Sequence, residues 1–138
     1  MISYARQQML ADRKPSGTPE HDEQVTLFQL LALNEREFPA LKWVHAIPNG
    51  GHRHKATAGK LKAEGVKAGV SDIFVPIPVK GYHGLYLEMK AGKNKLTTEQ
   101  SEFGDFVTSR GYSFYTAWSA GEALTAIGLY LGVELRYG

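Results

Sequence analysis

The chain contains no cysteine among its 138 residues, so a disulfide framework and a thiolate zinc site are both excluded. It also lacks any apolar run approaching the roughly 20 residues that span a bilayer. The N-terminus has no apolar block of the kind that opens a secretory signal. Charge of one sign is scarce too: 16 basic side chains stand against 14 acidic ones, for a formal net charge of +2. These absences point to a soluble, cytoplasmic protein with a single hydrophobic core, and the length fits one domain.

What is present is charge that clusters. Between His52 and Lys67 the chain carries Arg53, Lys55, Lys60, Lys62 and Lys67 against one acid, Glu64. A second cluster, Lys90, Lys93 and Lys95, follows later. Basic patches of this kind track phosphates. An acidic constellation lies between the two. Asp72 opens one short apolar run, Ile73-Phe74-Val75, and Glu88-Met89-Lys90 closes the next. Strand side chains alternate in direction, so Glu88 and Lys90 share a face. A reversal near Lys80-Gly81 makes the two runs an antiparallel hairpin with Asp72 across from Glu88. Facing carboxylates destabilise a sheet, unless a divalent cation sits between them. Mg²⁺ and Mn²⁺ favour such oxygen ligands. The Met89 carbonyl offers a third oxygen, and Lys90 a compact positive charge beside the phosphate.

The remaining pattern places these residues. Residues 1–19 read as an N-terminal arm, loosely held or a dimer contact, and 20–138 as one domain. A helix is expected from Glu20 to about Phe38, started by Thr18 or Pro19, with Val25, Phe28, Leu31 and Leu33 as its apolar set. Glu20 and Gln24 lie one turn apart on it, so Glu20 can project a further carboxylate at the metal, with Glu23 as the competing candidate. Leu41 to Ile47 reads as a strand and Lys55 to Glu64 as a short basic helix capped by Gly65. After the hairpin, Thr97 and Gln100 form a capping box that opens a helix to Arg110. That position also lets Gln100 contact substrate or a metal-bound water. Tyr112 to Trp118 is expected as a strand whose aromatics belong to the core, and Ser119 with Glu122 opens a last helix to about Leu131. The order predicts an α/β fold with a small mixed sheet flanked by helices.

Four segments in order, Ile47-Pro48-Asn49-Gly50-Gly51-His52-Arg53, Gly65 to Asp72, Leu87 to Lys90 and Leu96 to Gln100, resemble the VRR-NUC (virus-type replication-repair nuclease) domain of the PD-(D/E)xK superfamily. The resemblance covers about Glu20 to Leu131 and is closest in kind to stand-alone members from phages and prophages. It implies a restriction-endonuclease-like core and Mg²⁺- or Mn²⁺-dependent DNA cleavage in replication, recombination or repair. It carries metal binding onto Asp72 and Glu88 and the catalytic lysine onto Lys90, and its first-helix Glu-x-x-x-Gln motif matches Glu20 and Gln24. Gln100 matches the later glutamine, and the Asn-Gly-Gly-x-Arg element puts Asn49 and Arg53 near the substrate strand; the two basic clusters add Lys55, Lys60, Lys93 and Lys95 as expected DNA contacts. Ser71 stands where the family often has proline. The resemblance further implies a homodimer acting on branched DNA such as four-way junctions. The alternative is a non-catalytic nucleic-acid-binding module on the same fold.

Overall fold

A computed structural model describes residues 18–48 and 55–138, with side chains from 57 onward in the second segment. The chain forms α1 (Pro19–Asn34), a 3₁₀ turn (Pro39–Trp43), β1 (His45–Ala46), α2 (Lys55–Ala63), β2 (Ile73–Val75), β3 (Leu85–Met89), α3 (Thr98–Ser109), β4 (Ser113–Ala117) and α4 (Ala120–Leu131). The expected arm lies almost wholly outside the described residues. Among those described, no helix is long and apolar enough to cross a membrane.

The sheet runs β1-β2-β3-β4. The first two pairings are antiparallel and β3–β4 is parallel, as a crossover through α3 requires. This is the small mixed sheet that the sequence predicts. One face carries Ile73, Val75, Leu85, Leu87 and Met89 into a core closed by Leu27, Leu30 and Leu31 of α1 and by Leu124 and Ile127 of α4. On the other face Phe74 lies against Tyr86, and Tyr86 meets Phe103 of α3 edge-on at 5.0 Å. Phe114 packs beneath Gly104, where a Cβ would lie 2.7 Å from the ring. Tyr112 joins this layer through Phe74 and Tyr86, whereas Tyr115 and Trp118 are exposed rather than part of the core.

Two expected elements differ. The strand expected over Leu41 to Ile47 is mostly a 3₁₀ turn, leaving only His45–Ala46 extended. Pro39 opens the turn with its fixed φ. Bonds from Leu41 N–H to the Phe38 carbonyl and from Val44 N–H to the Leu41 carbonyl then tighten it. Three residues per turn bring Leu41 and Val44 to the same side, and both are buried, whereas a strand would send them to opposite faces.

Helix α1 is also rotated from its expected face. It buries Leu27, Leu30 and Leu31, leaves Val25 and Leu33 exposed, and turns Phe28 toward a cleft. It ends at Asn34, whose buried amide donates to the Leu30 carbonyl at 2.8 Å and to the Arg136 carbonyl at 2.7 Å. Its oxygen accepts from the Arg136 amide, so one side chain pins the C-terminal segment to α1.

Candidate active site

Continuing the β2–β3 register one residue beyond Ile73↔Leu87 sets Asp72 opposite Glu88, as the hairpin reading expects. Asp72 is fixed at both ends. Its backbone carbonyl accepts from the Ile47 amide at 2.7 Å, and its carboxylate Oδ2 accepts from the Met89 amide at 2.7 Å. The loop before it makes a close approach. Gly69 has φ +89°, and a Cβ there would lie 2.6 Å from the Glu99 carbonyl oxygen in the first turn of α3. Only glycine fits that contact and conformation.

Glu88 is 2% exposed. Burial pushes its carboxyl up to about 9, and the neighbouring Asp72 carboxyl adds to the shift through hydrogen bonding and charge. Lys90 opposes the shift, and Glu20 contributes a little to it. Glu88 Oε2 accepts a long 3.4 Å bond from Gln100 Nε2, while the buried Oε1 has no hydrogen-bond donor among the described residues. Burying an ionised carboxylate without full pairing is expensive. A buried oxygen without a donor, facing a second carboxylate, is the donor set that a hard divalent cation satisfies.

Gln100 forms the expected capping box and also reaches Glu88. Its Oε1 accepts from the Thr97 amide and its amide N–H donates to Thr97 Oγ1, closing the capping box. Its Nε2 is left to reach Glu88. Lys90 is 8% exposed, and its backbone N–H is tied to the Ala117 carbonyl at 2.9 Å. Its charge therefore acts in a largely dry setting beside Glu88.

Asp72, Glu88, Met89, Lys90, Gln100, Glu20 and Gln24 line one cleft of about 1040 Å³ between α1, the Gly69 loop and the first turn of α3. Glu23 does not line it. The Glu20 carboxylate accepts from the Asn94 side-chain amide at 3.2 Å. Among the described residues, no three His, Asp or Glu side chains form a group able to hold a metal. The structure thus presents Asp72 and Glu88 as a facing pair in a cleft that Glu20 also lines. Lys93 and Lys95 are exposed on the loop after Lys90, and Lys60 is exposed on α2. Asn49 and Arg53 lie outside the described residues, as does the side chain of Lys55.

Asn94 is the participant that sequence reasoning misses. It contacts Glu20 across 74 residues of chain, and its carbonyl accepts from the Trp118 indole N–H at 3.0 Å. The turn signal of Ala91-Gly92-Lys93-Asn94 was the only local hint.

A family model for the VRR-NUC domain matches residues 19–121, well over half of the chain. A solved structure described as a VRR_NUC domain protein superimposes with a TM-score of 0.66 at 24% identity, covering 88% of this chain and 95% of that one. At that identity the likeness establishes the fold. A comparison with curated proteins finds no match.

Proposed function

Since the chain belongs to the VRR-NUC domain family, a nuclease family, we propose that it is a DNA endonuclease that hydrolyses phosphodiester bonds with Mg²⁺ or Mn²⁺. The observation that carries this reading is the buried Glu88 carboxyl facing the half-buried Asp72, with one Glu88 oxygen lacking a donor among the described residues. Asp72, Glu88 and the Met89 carbonyl would hold the cation. When bound, the cation lowers the pKa of an attacking water and offsets charge on the phosphoryl oxygens.

The chain's own groups supply the rest. The Met89 amide aims the Asp72 carboxylate, and Gln100 orients Glu88 from the end of α3. Lys90 places a positive charge where the water loses its proton and the phosphoryl oxygens gain charge. As the water oxygen bonds to phosphorus and its proton passes to solvent, one ester P–O bond breaks, and the leaving oxygen takes up a proton from solvent to end as a hydroxyl on one strand end. Lys93 and Lys95 carry the flanking backbone phosphates, helped by Lys60 and by Asn49, Arg53 and Lys55.

We extend the reading to a homodimer acting on branched DNA during phage or prophage replication, recombination or repair, in the cytoplasm of a bacterial host. Paired cuts across a junction need two active sites. Incubating the chain with labelled four-way junctions, flaps and plain duplex, in Mg²⁺, in Mn²⁺ and in chelator, tests it. Metal-dependent cleavage favouring the junction is expected. Salt-sensitive binding without cleavage under either metal would return the non-catalytic reading.

A further inference from the structure

We propose that Asn94 is a positioning residue for Glu20, holding that carboxylate in the cleft it shares with Asp72 and Glu88, and that Trp118 fixes Asn94 in turn. The inference rests on the functional reading above and adds a residue to it.

Three polar groups of Asn94 are engaged. Its backbone N–H donates to the Ala91 carbonyl at 3.0 Å, closing a turn in which Gly92 takes φ +57°. Its carbonyl accepts from the Trp118 indole at 3.0 Å. Its side-chain amide donates to Glu20 Oε1 at 3.2 Å. The link joins three separate parts of the molecule: the first turn of α1, the loop after β3, and the residue that follows β4. Without it, a glutamate one residue into a helix would have several rotamers open to solvent.

The position of Glu20 explains what the link is for. Its charge reaches Glu88, yet it forms no three-acid group with Asp72 and Glu88. From the shared cleft Glu20 would supply a further acceptor for a bound cation or its waters, of which Mg²⁺ keeps several. Partners that orient such groups typically matter about 10- to 100-fold in metal affinity or activity.

The test is a double-mutant cycle read by Mn²⁺ binding, followed through the spin-resonance signal of free Mn²⁺. Wild type, Asn94→Ala, Glu20→Ala and the double variant are compared, with melting temperature recorded for each. Asn94 is exposed and Glu20 half-exposed, so all four are expected to fold. Asn94→Ala should weaken Mn²⁺ binding by about tenfold, Glu20→Ala should do at least as much, and the double variant should be no worse than Glu20→Ala. Trp118→Phe, which keeps the ring and removes the N–H, should move binding in the same direction by less. Unchanged binding in Asn94→Ala, or full additivity with Glu20→Ala, would overturn the inference while leaving the functional reading intact. A wild-type chain that binds no Mn²⁺ would overturn both.

Discussion

The Asp72 carboxylate accepts a hydrogen bond from the Met89 amide at 2.7 Å, so the residue after Glu88 holds the acid that faces Glu88. The same backbone thus positions both halves of the pair. This separates two substitutions that a metal-ligand role alone would not distinguish. Asp72→Asn keeps an oxygen for the Met89 N–H and should fold with near wild-type stability, yet lose metal binding and cleavage. Asp72→Ala should lose cleavage as well and about 1–2 kcal/mol of stability. Chemical denaturation of the two variants checks the difference.

Glu88 ties stability to pH with a definite sign. Its carboxyl stands at about 9 in the folded chain against an ordinary 4.5. Between those values the folded state holds a proton that the unfolded state releases. Stability from this group is therefore fullest below the lower value and declines as pH rises toward the higher one. A cation must displace the same proton, so its affinity rises with pH. The melting-temperature gain from Mg²⁺ should be larger near about pH 9 than near about pH 6.

Glu88→Gln removes that burial penalty. In the absence of metal at neutral pH it should be more stable than wild type by about 1–3 kcal/mol and inactive, a trade of stability for function. A melt and a cleavage assay on one preparation measure both halves.

Ser71 is fully buried, and its Oγ has no hydrogen-bond partner among the described residues. An unmatched buried hydroxyl costs about 1–3 kcal/mol. Ser71→Ala should therefore be neutral or stabilising by up to about 1 kcal/mol, with cleavage retained. Denaturant titration checks it.

Asn34 closes the far end of α1 on the C-terminal segment through Leu30 and Arg136. Asn34→Ala strands two backbone groups of Arg136 and should cost about 1–3 kcal/mol. Amide exchange should rise at Leu135 and Arg136, with little change in metal affinity.

How much of this was legible in the sequence follows from the range of each interaction. The hairpin was readable because period-two alternation and the Lys80-Gly81 reversal are local, and they alone set Asp72 against Glu88. The Thr97–Gln100 cap was readable for the same reason. The 3₁₀ turn was not, since one pair of apolar residues three apart, Leu41 and Val44, is too short a pattern to separate a single helical turn from a strand. The buried stripe of α1 is not legible because Val25 and Phe28 are apolar too: Val25 is exposed at the cleft, and Phe28 lines the cleft while packing on the edge of the core. The contact between Asn34 and Arg136 spans 102 residues, and no local pattern announces a side-chain bond over that distance.

The most direct measurement is DNA cleavage in Mg²⁺ by wild type beside folded Asp72→Asn. Cutting by wild type that chelator abolishes, with none by Asp72→Asn at matched stability, is the expected result. Cutting that persists in chelator, or in Asp72→Asn, would contradict a catalytic cation held between Asp72 and Glu88.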